Sequence, residues 1–249
     1  MSAFILKIIA LISMTCDHTS YLIFGKFSFL NLIGRFAFPI FAFQISEGYI
    51  HTKSLKRYLL RLFLFALISQ APFALFRSSY FSSFALNVFF TLFLGLGAIA
   101  IFDMFHKLEY KEKFMHYLND LFGIICVIIL SVIAQISHCD YGAYGVAIIF
   151  LFYLLKNHKL LMNIVFILCT ILYQLKNLLL FNENFKIYLF VIIFTCLPLV
   201  FIELYNNKKG KDIKFVLYLF YPIHLLILYA LSFIVHNWYH VPLHLSCFL

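Results

Sequence analysis

At 249 residues the chain has the length of one or two soluble domains, but 64% of it is hydrophobic, 12% is charged, and its mean hydropathy is +0.99. A soluble domain is nearer half apolar and a quarter charged, so this composition excludes a water-facing globular surface, a disordered chain and a disulfide-stapled secreted domain. The net charge of +9 reads as orientation charge for a membrane protein, and no nucleic-acid partner is expected.

Apolar runs near the bilayer-spanning length of about 20 residues lie at Ala3–Phe24, Leu30–Ile50, Leu55–Phe76, Phe84–Met104, Leu118–Ile136, Gly142–Leu155, Leu160–Leu180, Ile187–Leu204 and Phe215–Val235. They predict an all-α, polytopic transmembrane bundle of about nine helices, read as a single domain over residues 1–249. The tail His236–Leu249 is expected in the interface or as part of a tenth short helix. The first run holds Asp17 and His18 and is not followed by a small-residue cleavage site, so it reads as a retained helix rather than a signal peptide. Cys16, Cys126, Cys139, Cys169, Cys196 and Cys247 show no ligand-like spacing and read as packing thiols; no metal is expected.

Lysine and arginine set orientation. With the N-terminus cytoplasmic, the loops after the second, fourth, sixth and eighth runs hold Lys53, Lys56, Arg57, Lys107, Lys111, Lys113, Lys156, Lys159, Lys208, Lys209, Lys211 and Lys214. The opposite loops hold only Lys26, Arg77, Lys176 and Lys186. A cytoplasmic N-terminus follows.

An ionisable group inside hydrocarbon is costly unless paired or hydrated, which makes each one a functional candidate. Asp17 and His18 are adjacent, so they point about 100° apart, and another helix should supply a partner. Asp17 lies about 10 Å and Arg35 about 8 Å from the same surface. A helical hairpin would bring them level as an ion pair that orients His18, or as a purely structural clamp. Lys53, Arg57 and Arg61 recur at intervals of four and share a face, suited either to phosphates or to orientation charge with snorkelling side chains. Glu47 would neutralise Arg61 across the turn at His51–Ser54. Asn87, Thr91 and Gly95 form a stripe of polar and small residues that packs a helix or lines a cavity. The last run carries Tyr218, Tyr221, Pro222 and His224, with His224 about 15 Å and His18 about 22 Å from the cytoplasmic side, so that the two imidazoles would face one cavity.

A histidine positioned by a carboxylate can take a proton from an attacking hydroxyl or amine, and cationic side chains can hold a phosphorylated donor. Together these suit acyl transfer from acyl-CoA, and equally a proton-coupled small-molecule transporter or exporter.

The run KIIALISMTCDH (Lys7–His18), followed by IGRFAFPIFAFQISEGYIHT (Ile33–Thr52), RYLLRLFLFALISQAPF (Arg57–Phe73), LNVFFTLFLGLG (Leu86–Gly97), DYGAYG (Asp140–Gly145) and YLFYPIHLLILY (Tyr218–Tyr229), resembles the TraX family in order and over most of the chain. The resemblance implies a multi-pass acetyltransferase of a bacterial inner or plasma membrane, the family's namesake being an enzyme that N-acetylates conjugative pilin. By that resemblance His18 is the catalytic histidine, Asp17 and Arg35 are its companions, and His224 is a second site residue. Acetyl-CoA is the expected donor, its phosphates near Arg57 and Arg61, with Glu47, Asn87 and Tyr221 also at the donor site. The acceptor is an amine or hydroxyl of a peptide N-terminus, a sugar or another small molecule. No metal is required.

Overall fold

The computed structural model describes residues 1–24, 27–81, 83–108, 113–181 and 185–239. The helices are α1 (Ala3–Phe24), α2 (Phe29–Gly34), α3 (Ala37–His51), α4 (Leu55–Ser78), α5 (Val88–His106), α6 (Lys113–Ile136), α7 (Gly142–Leu154), α8 (Lys159–Phe181), α9 (Phe185–Cys196), α10 (Pro198–Glu203) and α11 (Lys214–Tyr239). Among the described residues, eight helical spans are long and apolar enough to cross a membrane, and Gly142–Leu154 is a shorter apolar helix. The protein is therefore an all-α, polytopic membrane protein, as its composition requires. α11 runs on to Tyr239, and the remainder of the tail expected to lie in the interface or form a tenth helix falls outside the described residues.

Two expected helices are each split, and proline is the reason both times. The run Leu30–Ile50 becomes α2 and α3, interrupted at Arg35 and Phe36. Pro39 has no N–H to give the Arg35 carbonyl, and its ring crowds that oxygen. In the run Ile187–Leu204, Pro198 does the same to the Phe194 carbonyl and occupies the first turn of α10, where a proline is tolerated. α5 begins at Val88 rather than Phe84 because the preceding residues bond elsewhere. The Leu86 N–H donates to the His138 carbonyl at 3.0 Å, the Asp140 N–H donates to the Leu86 carbonyl at 2.9 Å, and Asn87 becomes the N-cap.

The chain forms two compact units. One comprises Met1–Phe41, Ile68–Phe84 and Asn163–Leu249; the other comprises Ala42–Leu67 and Ala85–Met162. In the first, α1 packs on α2 and on α11, α2 packs on α9, and α9 packs on α10. Small buried residues on α1, Ala10, Ser13 and Ser20, permit close approach of its neighbours. The N-terminus is tied to the loop before α11. Ala3 and Phe4, whose N–H groups have no partner within α1, donate to the carbonyls of Lys208 and Lys209 at 2.9 and 3.1 Å, and the Met1 ammonium donates to the Leu204 carbonyl. In that loop Lys209 donates to Asp212 at 2.8 Å, which with the Lys214 N–H holds the Asp212 carboxyl down at about 2.

In the second unit α5, α6 and α7 pack on one another. Gly95 lies against Ile149 and Gly123 against Phe102, where a Cβ would overlap the neighbouring side chain. Asp103, a carboxylate overlooked in the sequence reading, is 4% exposed and accepts hydrogen bonds from Tyr49 and Tyr153, each at 2.6 Å, and from Lys107 at 2.5 Å. The Asp140–Gly145 motif is spent on the α6–α7 turn. Tyr141 and Gly142 have φ of 63° and 46°, and the Asp140 carbonyl accepts from the Thr91 hydroxyl. Cys139 in this turn is buried, which pushes its thiol up to about 11 and leaves it a protonated packing group at neutral pH. Cys247 lies outside the described residues.

Candidate functional site

In the first unit the polar side chains of α1, α2 and α11 are brought together. Ser28 caps α2: its own N–H donates to Asn31 Oδ1 at 2.8 Å, and its hydroxyl accepts from the Leu30 N–H. This capping box fixes the Asn31 amide, which is fully buried. Ser20 on α1 donates to Asn31 Oδ1 at 2.6 Å, so the Nδ2 of Asn31 points at Asp17. It donates to Asp17 Oδ1 at 3.0 Å and to the Asp17 carbonyl at 3.2 Å. Gly34, one helical turn beyond Asn31, leaves room for the carboxylate. A Cβ there would lie 2.7 Å from Asp17 Oδ1. Arg35 follows at the end of α2, close enough for its charge to act on Asp17, and its guanidinium lies 5.8 Å from the Phe27 ring centroid. Asp17 thus has Asn31 as a hydrogen-bond partner and Arg35 as a charge partner.

His18 takes its orientation from α11 rather than from the Asp17–Arg35 pair. Its Nδ1 lies 2.7 Å from His224 Nε2, and the rings stack with 5.0 Å between centroids and 13° between planes. His224 Nδ1 lies 2.8 Å from the Phe220 carbonyl oxygen. A carbonyl only accepts, so this contact assigns the proton of neutral His224 to Nδ1 and leaves Nε2 as an acceptor. His18 must then donate through Nδ1, and its own Nε2 carries the lone pair. Phe220 stacks on His224 at 4.9 Å and 16°, while Tyr221 is tilted against both imidazoles, at 5.6 Å from His224 and 6.3 Å from His18. Phe76 of α4 lies 5.3 Å from the His18 ring. The two histidines, expected to face one cavity, are in direct contact.

The remaining expected site residues, Glu47, Arg57, Arg61 and Asn87, belong to the second unit. Among the described residues, Glu47 Oε2 and Arg61 Nε are buried without a hydrogen bond; Glu47 Oε2 lies 3.8 Å from His51 Nδ1, and the Arg61 guanidinium lies 5.7 Å from the Tyr58 ring centroid. Arg57 is exposed near the start of α4, where its N–H donates to Ser54 Oγ. Asn87 is fully buried: its Oδ1 accepts from the Phe89 N–H at 3.0 Å, and its Nδ2 donates to the Ala66 carbonyl at 2.8 Å. It is the cap of α5 and not part of a helical stripe with Thr91 and Gly95.

Asn31, Ser20 and Gly34 were missed in the sequence reading. The Ser28–Asn31 spacing was the available signal for Asn31, since a serine followed three residues later by an amide side chain opens a helix.

A helical membrane protein that joins an intramembrane histidine pair between two spans, next to an asparagine-held carboxylate, is the class defined by these contacts. The model of the family described as TraX protein matches residues 2–232, and the chain belongs to that family. A curated relative, the probable fimbrial assembly protein FimC, serogroup H1, of Dichelobacter nodosus, is 29% identical over 244 residues, covering 91% of this chain and 94% of that protein. No solved structure matches the chain.

Proposed function

We propose that the protein is an acyltransferase of a bacterial inner or plasma membrane, moving an acetyl group from cytoplasmic acetyl-CoA to an amine or hydroxyl acceptor at or across the membrane. The observation that carries this reading is the orientation of His18, whose Nδ1–H is engaged by His224, leaving Nε2 as a base. As the acceptor's nitrogen or oxygen attacks the thioester carbonyl, Nε2 removes the acceptor's proton. The tetrahedral oxyanion then collapses, the carbon–sulfur bond breaks, and the CoA sulfur takes the proton from His18. The hydrogen bond to His224 persists in both charge states of His18, so little need reorganise during transfer. Asp17 and Arg35 are the charged companions of this base, and Asn31 keeps Asp17 in place.

In this reading Arg57 and Arg61 hold the donor's phosphates, with Glu47 beside them, and Asn87 contributes by setting where α5 starts. The Arg61 Nε, buried without a hydrogen bond among the described residues, supports a polar ligand there. Membership of the TraX family, which is associated with pilin acetylation, supports the transfer chemistry. The relative's name makes a fimbrial subunit one acceptor to test beside sugars and small molecules.

The test is acetyl transfer from labelled acetyl-CoA by purified protein in detergent. His18→Ala is expected to lower kcat/KM by about 10²–10⁴-fold, the usual contribution of a general base. Unchanged activity would remove His18 from the chemistry. A pair of hydrogen-bonded imidazoles also suits proton transfer, so solute flux in proteoliposomes with no consumption of acetyl-CoA would select a proton-coupled transporter instead.

A further inference from the structure

A second cluster of titratable side chains lies in the other unit, where α5 ends and α6 begins. His106 is the last residue of α5; His116 and Asp120 lie four residues apart on α6, so they project from the same face. Gly123, one turn beyond Asp120, lets α6 approach the backbone of Phe102, one turn before His106. That approach brings the three side chains together. His106 Nδ1 lies 2.7 Å from Asp120 Oδ1, and the His106 and His116 rings are 5.1 Å apart. One ligand atom from each of the three residues falls within 4.8 Å of the others. The His106 ring is held by stacking on Phe102 at 5.6 Å and 12°. Lys107, the neighbouring cation, is drawn away to Asp103.

We propose that His106, His116 and Asp120 bind a divalent transition-metal ion of the zinc class. Two imidazoles and one carboxylate form a donor set that favours such an ion over calcium or magnesium, which take oxygen ligands. Around a tetrahedral ion with bonds of about 2.0–2.2 Å the ligand atoms sit roughly 3.3–3.6 Å apart, so His106 Nδ1 and Asp120 Oδ1 open from 2.7 Å while the wider separations, up to 4.8 Å, close. Water completes the fourth position. The ion replaces the proton now shared between His106 and Asp120 and staples the end of α5 to the start of α6. The site is distinct from the His18–His224 pair, which belongs to the other unit.

The experiment uses untagged full-length protein in detergent, stripped with chelator and then titrated with Zn²⁺ by calorimetry and with Co²⁺ by visible absorption. Binding of one ion per chain is expected, with a tetrahedral Co²⁺ spectrum and a rise in thermal midpoint. His116→Ala should weaken binding by about 10-fold or more. Asp120→Asn, which can still accept from His106 and so guards against simple misfolding, should do the same. His224→Ala should leave binding unchanged. Absence of stoichiometric binding, binding that survives both site variants, or binding lost only in His224→Ala would overturn the assignment.

Discussion

At the scale of single residues, the candidate chemistry depends on which nitrogen holds each proton. The Phe220 carbonyl accepts from His224, His224 accepts from His18, and the sequence of contacts ends at His18 Nε2. His224 is therefore a positioning residue, and its loss would free the His18 ring to adopt the other tautomer. His224→Leu should lower kcat on the order of 10²-fold or more with little change in KM, because a wrongly held imidazole loses its reactive nitrogen. His224→Gln, whose Oε1 can accept from His18 Nδ1, should restore much of the rate. Equal losses in both variants would show that His224 only fills space. Asp17 and His18 were legible as candidates because charge in hydrocarbon is conspicuous. Asn31 was legible at most as a helix cap through its spacing from Ser28, since its contact with Asp17 forms only when α2 folds back on α1.

At the scale of elements, hydropathy locates the spans, and proline and caps set where they stop. Pro39 and Pro198 interrupt two runs that read as continuous, whereas Pro72 and Pro222 sit inside α4 and α11 without ending them. In a membrane, neighbouring groups can take up a freed carbonyl, so proline alone does not decide between a break and a tolerated kink. Asn87 illustrates how an element boundary changes a residue's reading. Asn87→Ala should destabilise the protein by about 0.5–2 kcal/mol through loss of the cap. Asn87→Ser should recover much of that loss in thermal unfolding in detergent. A rise in the KM for acetyl-CoA with unaltered thermal stability would instead return Asn87 to the donor site.

At the scale of the whole molecule, the distribution of lysine and arginine predicts which ends of the spans face the cytoplasm. The hydrogen bonds from Ala3 and Phe4 to Lys208 and Lys209 place the N-terminus beside the loop before α11. Single cysteines read by a membrane-impermeant maleimide test the orientation. Lys211→Cys should label only after permeabilisation, and Ser79→Cys should label in intact cells. The reverse pattern would invert the proposed topology and move the donor to the wrong side. Near this loop the sign of pH dependence is also defined: Asp212, with its carboxyl depressed to about 2, adds stability above its unfolded value, and that contribution disappears as pH falls through about 2.

The amino-acid sequence by itself determined the solvent and the class of fold. A chain this apolar must bury its backbone polar groups in helices within a bilayer, and that requirement depends on composition and run length, not on which helix meets which. It also singled out Asp17, His18 and His224, because polar groups are costly there. Tertiary structure alone decided that His18 bonds His224 directly, that Asn31 hydrogen-bonds Asp17, and that His106, His116 and Asp120 converge. Each of these contacts depends on close approach between helices, governed by residues such as Gly34 and Gly123, whose effect appears only when a second surface is present.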